Sequence, residues 1–176
     1  MDSTVNPIDP NELRQLYYWA GLTLNASQTF EYGLKYLLWV LADRQLIDFA
    51  QDEATAIIEE QSKKTAGQVI RILTAHLTLA PEDEQAFREA LNERNRFTHG
   101  FLTDKADEIA DPASRNDVIR EIKQIKKTLM RGDSVVRKLM PTLLALYGVA
   151  YDEFERQLYV EISSRNRNPT AGPQPE

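Results

Sequence analysis

Along most of the chain, apolar side chains return every three or four residues, the spacing that gathers them on one face of an α-helix. No stretch sustains the strict alternation that a half-buried strand requires. The first helix opens at Asp9-Pro10, an N-cap residue followed by proline at the first helical position. From there Leu13, Tyr17, Ala20, Leu24, Ser27, Glu31, Leu34, Leu38 and Leu41 step along one stripe to about Arg44, which predicts a long packed helix whose apolar seam is interrupted by Ser27 and Glu31. A short helix is expected over Glu53 to Glu60, and another from near Thr65 with Val69, Ile72, Leu73 and Leu77 facing inward. A fourth opens at Pro81 and runs to near Gly100, with Glu82, Asp83 and Glu84 in its first turn, where carboxylates meet the positive end of the helix dipole. After a polar loop, Ser114 and Asp117 are expected to cap another long helix with the stripe Val118, Ile122, Ile125 and Leu129, broken or kinked at Arg131-Gly132-Asp133 or at Pro141. Tyr151, Phe154 and Leu158 predict a last short helix, and the polar stretch from Ser163 to Glu176 is expected to be a disordered tail. The expected fold class is all-α, an up-down helical bundle of about five to six helices forming a single domain over residues 1–162.

Composition narrows the chemistry. A chain of 176 residues can bury a core without disulfides or a structural metal. It has no cysteine and two histidines, which removes thiol chemistry and leaves too few clustered donors for a metal centre, so neither metal nor cofactor is expected. There is no glycine-rich phosphate loop and no nucleophile elbow. Met1 to Asn11 is acidic and polar where a signal peptide would be basic and then apolar, and no apolar run approaches a membrane span. A cytoplasmic protein without membrane contact is the expectation.

The net charge of -6 argues against indiscriminate coating of nucleic acid. Locally the balance reverses: Arg115 to Lys138 carries eight Lys/Arg against three acids, a net of about +5. A solvated helix face and a phosphate-contacting face both fit that segment, and Lys123, Lys126 and Lys127 are the candidates for the second. The aromatic residues Tyr17, Tyr18, Trp19, Phe30, Tyr32, Tyr36 and Trp39, at helical spacing, fit a core or dimer interface better than a base-stacking platform. His76 reads as a packing or surface residue.

The chemistry concentrates at the end of the fourth helix. Phe87, Ala90 and Leu91 form its inner stripe, and the same spacing carries Arg94 and Thr98 onto that face. A guanidinium buried without partners is costly, and Glu31, the carboxylate in the first helix's apolar seam, is the natural counter-charge. Asn95 and His99 lie four apart on a shared face, and Gly100 ends the helix just beyond the histidine. Two readings are open here: a pair that merely joins two helices with His99 capping one of them, or a reactive constellation.

The hexapeptide Arg94-Asn95-Arg96-Phe97-Thr98-His99 resembles the Arg-x4-His motif of the HEPN superfamily, commonly found as Arg-Asn-x-x-x-His. The run Lys64-Thr65-Ala66-Gly67-Gln68-Val69-Ile70, followed by a helix and then an acidic helix leading into the motif, is similar in spacing to HEPN proteins, and the resemblance covers roughly residues 10 to 160. It implies a helical domain that dimerises so that two motif helices face each other across a composite cleft and cleave RNA without a metal. Arg94 and His99 would be the catalytic pair, Asn95 and Glu31 supporting residues, and Arg96 a possible RNA contact. Implied partners are RNA, a second copy of the chain and, in the bacterial toxin-antitoxin, defence or stress systems where such proteins occur, an antitoxin or other protein. The alternative within the family is a noncatalytic interaction or nucleotide-binding module. One branch carries, two residues after the histidine, a tyrosine that a partner nucleotidyltransferase modifies; here that position is Phe101, which puts that mode of control in doubt.

Overall fold

A computed structural model describes residues 10–45, 47–59, 64–146 and 148, and among them every regular element is an α-helix. In chain order these are α1 (Pro10–Asp43), α2 (Gln51–Ile58), α3 (Ala66–His76), α4 (Pro81–Thr98), α5 (Phe101–Asp104), α6 (Ala106–Ala110) and α7 (Pro112–Leu146). The chain divides between Arg137 and Lys138 into two compact units, and the packing described below is that of the first. The expected N-cap Asp9, the helix at Tyr151 to Leu158 and the tail from Ser163 lie outside the described residues.

α1 is the element around which the first unit is organised, touching α2, α3 and α4. Of its expected stripe, Ala20, Ser27, Leu34, Leu38 and Leu41 are buried, but Tyr17 and Leu24 are 63% and 45% exposed. Leu16, Thr23, Phe30 and Leu37 take the inward positions instead, so the N-terminal half presents a face rotated from the expected one. Thr23 can be buried because its hydroxyl bonds the Trp19 carbonyl at 2.9 Å and reaches the Ile122 carbonyl of α7 at 3.3 Å. A polar residue satisfied in this way displaces a tyrosine whose hydroxyl would need its own partner inside.

Local signals account for the other helix starts. Thr65 and Gln68 form a reciprocal capping box on α3, each side chain accepting from the other residue's backbone amide, at 2.8 and 3.4 Å. Pro81 occupies the first turn of α4. Between α4 and α7 the expected polar loop is replaced by the short helices α5 and α6, and α7 begins earlier than expected, capped by Asp111 rather than by Ser114 and Asp117. Asp111 accepts from the Ala113 amide at 3.1 Å and from the Ser114 hydroxyl at 2.6 Å. Those bonds, led by Ser114, hold its carboxyl below the ordinary value. Asp117 instead pairs with Arg120.

Val118, Ile122, Ile125 and Leu129 are buried on α7 as expected. The expected break at Arg131-Gly132-Asp133 or Pro141 is absent, and the helix continues to Leu146. Gly132 serves a close crossing: a Cβ there would lie 2.5 Å from the Ala90 Cβ of α4 and 2.9 Å from the Phe30 ring of α1. A Cβ on Gly33 would similarly come within 3.3 Å of Val136. Both glycines let helix backbones approach where a side chain would hold them apart, and Phe30 and Phe87 fill the adjoining core with ring centroids 6.2 Å apart.

Candidate functional site

The expected contact between α1 and α4 is present. Arg94 donates from Nη2 to Glu31 Oε2, with both side chains about one-fifth exposed. Glu31 Oε1 receives Lys35 Nζ at 3.1 Å, one helical turn further along α1. Burial alone would push the Glu31 carboxyl up, but hydrogen bonds from Lys35 and Arg94, with their charges, more than offset it and hold it below the ordinary value. Arg94 Nη1 donates to Asn95 Oδ1 at 3.1 Å, while its Nε is buried with no hydrogen-bond partner. A buried donor left unpaired costs about 1–3 kcal/mol.

Arg94 and Glu31 line a cleft of about 380 Å³ together with Leu24, Ser27, Gln28, Tyr32, Lys35 and Thr98. The Thr98 hydroxyl bonds back to the Arg94 carbonyl at 2.8 Å. His99 is the C-cap of α4, its amide bonded to the Asn95 carbonyl at 3.1 Å, and its side chain is exposed without a hydrogen-bond partner among the described residues. Gly100 follows with φ of 148°, a backbone state that L side chains rarely adopt, and α5 starts directly after it. The turn therefore ends α4 at the histidine and leaves the imidazole at the helix terminus.

Arg96 is committed elsewhere. It bonds Glu93 at 2.8 Å and Glu121 of α7 at 2.6 Å and lies 5.3 Å over the Phe101 ring. Phe101 is buried against Phe97, with centroids 5.7 Å apart, and belongs to the core. The basic stretch on α7 is also less available than its charge count suggests. Arg120, Arg131 and Arg137 pair with Asp117, Glu89 and Asp133. Lys123 sits 4.7 Å over the Trp19 ring, and Lys126 contacts Met130 Sδ at 3.2 Å. Lys127 is exposed with no partner among the described residues.

Four residues that matter to this region escaped the sequence reading of the site. Lys35 could have been found, four residues after Glu31 on the same helix. Gln28 and Tyr32 line the cleft beside Leu24, Ser27 and Glu31 of the expected stripe. Arg115, counted as a surface charge, is wholly buried: Nε donates to the Ile109 carbonyl at 2.8 Å, Nη2 to the Ala110 carbonyl at 3.2 Å, and Nη1 to Glu12 of α1. His76 is exposed at the end of α3. Among the described residues no group of three or more His, Cys, Asp or Glu could hold a metal ion, and no helix is long and apolar enough to cross a membrane. No protein-family model, curated protein or solved structure matches the chain.

Proposed function

We propose that this chain is a HEPN-type, metal-independent endoribonuclease acting as a homodimer, with Arg94 and His99 as its catalytic residues. The observation that carries the reading is Arg94: a guanidinium oriented by Glu31 and Asn95, lining a cleft, with its Nε buried and unpaired, five residues before an exposed histidine at a helix end. Arg94 would hold the scissile phosphate and stabilise the charge that develops on its oxygens. One histidine, acting as general base, removes the proton of a ribose 2′-hydroxyl. The 2′-oxygen attacks phosphorus, the bond to the 5′-oxygen breaks, and a second histidine protonates the leaving oxygen, leaving a 2′,3′-cyclic phosphate. Each chain has one histidine at this site, so the acid-base pair requires two protomers. The exposed Tyr17 and Leu24, with open space around Gly21 between them, offer an apolar face on α1 for the second copy.

A second reading is favoured by a different observation: His99 is not among the residues lining the cleft. On that reading the domain is a noncatalytic module that binds a nucleotide or a partner protein. Incubation of the purified chain with a mixed RNA pool in EDTA separates the two. Cleavage that is lost in both Arg94→Ala and His99→Ala supports the ribonuclease; a folded dimer that cuts nothing supports the module. Growth arrest on expression that His99→Ala relieves would point to a toxin of a bacterial toxin-antitoxin, defence or stress system, with an antitoxin as partner.

A further inference from the structure

Tyr32 is the outer member of an ordered aromatic ladder on α1. Trp39 is anchored by its Nε1 to the Thr55 hydroxyl of α2 at 3.3 Å. Tyr36 stacks on Trp39 with centroids 5.8 Å apart and planes 20° apart, and Tyr32 stacks on Tyr36 at 6.3 Å and 9°. The ladder ends at the cleft, where Tyr32 is half exposed. A ring held by stacking on one side and open on the other has already given up its rotational freedom, so a second flat group can stack on it with little further ordering cost. Every nucleobase has such a face.

The surroundings suit a nucleotide. Gln28 lies one turn before Tyr32, and its exposed amide has no hydrogen-bond partner among the described residues. An amide carries both donors and an acceptor, the combination needed to pair with a base edge. Arg94 lines the same cleft, and a guanidinium is the group suited to hold a phosphate. The cleft's 380 Å³ lies in the size range of small-ligand sites. A base within a duplex is stacked on both faces and paired on its edge, so it could use neither Tyr32 nor Gln28.

We infer that this cleft seats one unpaired nucleotide of a single-stranded RNA, its base stacked on Tyr32, its edge read by Gln28 and its phosphate on Arg94. The inference rests on the ribonuclease reading for the identity of the strand and adds to it a residue that selects the base. The test uses the full chain and four fluorescein-labelled 2′-O-methyl homo-oligonucleotides of A, C, G and U, which attack by a 2′-hydroxyl cannot cleave. Binding is followed by anisotropy, and molecular mass by light scattering. Tyr32→Phe should bind like wild type and Tyr32→Leu about tenfold more weakly at unchanged mass. Gln28→Ala should level the differences in affinity among the four bases.

Tyr32→Leu binding as tightly as wild type would overturn the inference, as would a wild type indifferent to the base. A change of oligomeric state in Tyr32→Leu would overturn it too, by making the ring part of a protomer interface. If wild type cleaves the RNA pool and Tyr32→Leu does so with the same KM and products, the seat is wrong and the ribonuclease stands. If wild type binds the oligonucleotides through Tyr32 but cleaves nothing, the seat is supported and the catalytic reading falls.

Discussion

Two arginines, Arg94 on α4 and Arg115 on α7, are each tied to α1 by a glutamate, Glu31 in one case and Glu12 in the other. Around Arg115 every guanidinium nitrogen has a partner. Two of these are the carbonyls of Ile109 and Ala110 at the end of α6, where a cation also meets the negative end of the helix dipole. Around Arg94 the bonding is incomplete and the side chain faces a cleft. Charge, chemistry and anchoring helix are shared; hydrogen-bond saturation is not. A saturated, wholly buried guanidinium acts as a staple, whereas one that is partly exposed at a cleft still presents part of itself to whatever enters.

That contrast is open to direct tests. Replacing Arg115 by methionine strands Glu12 and two carbonyls, with an expected stability loss of about 3–5 kcal/mol in urea unfolding and, on the proposed ribonuclease reading, no change in RNA cleavage per folded molecule. An equal loss from Arg94→Met would erase the distinction. On that same reading Arg94→Ala should instead be felt in turnover, with cleavage falling roughly 10²–10³-fold in single-turnover assays on a chain that still folds. Gly132→Ala, which forces a methyl group against Ala90 and Phe30, should cost about 1–3 kcal/mol. Combining it with Ala90→Gly should recover part of that loss in a double-mutant cycle, whereas strict additivity would mean that the two positions do not touch.

An effect of similar size is the most diagnostic of the cleft. Glu31→Ala should cost about 2 kcal/mol at neutral pH, because it leaves Arg94 and Lys35 without their shared carboxylate. The folded-state carboxyl titrates below its ordinary value of 4.5. Its contribution is therefore complete above that value and is lost as pH falls through the lower folded one. The stability gap between wild type and Glu31→Ala should accordingly narrow on acidification below 4.5; a gap that widened would reverse the assignment.

The parts of this structure legible from sequence are those decided within one helix or by one charge. Proline starts, the stop at Gly100, the α7 stripe and the need of Arg94 for a carboxylate all follow from spacing and from the cost of an unpaired charge. What sequence hid was decided by neighbours. The first half of α1 offers two apolar stripes, one through Leu13, Tyr17 and Leu24 and another through Leu16, Thr23 and Phe30, and the choice depends on a carbonyl of α7 that satisfies Thr23. α5 and α6 are too short to show a period, so the carbonyls that bury Arg115 could not be foreseen. Gly132 reads as a breaker in one dimension and becomes a contact only when Ala90 and Phe30 stand against it. At the site, the Glu31 to Arg94 contact was legible, while the place of Tyr32 and Gln28 depends on the cleft that α1 and α4 form together.

The crossing at Gly132 also bears on how such a chain can drift. With 2.5 Å between a Cβ at that position and the Ala90 Cβ, an exchange there is tolerated only alongside a compensating exchange on α4 or a shift of the helix itself. A larger residue at position 132 is thus coupled to position 90, whereas exposed positions on the same helix, Lys127 among them, can vary singly. Distant kin that have lost every other likeness would be expected to keep a small residue at each of these two places, a sparse signature tied to backbone spacing rather than to chemistry.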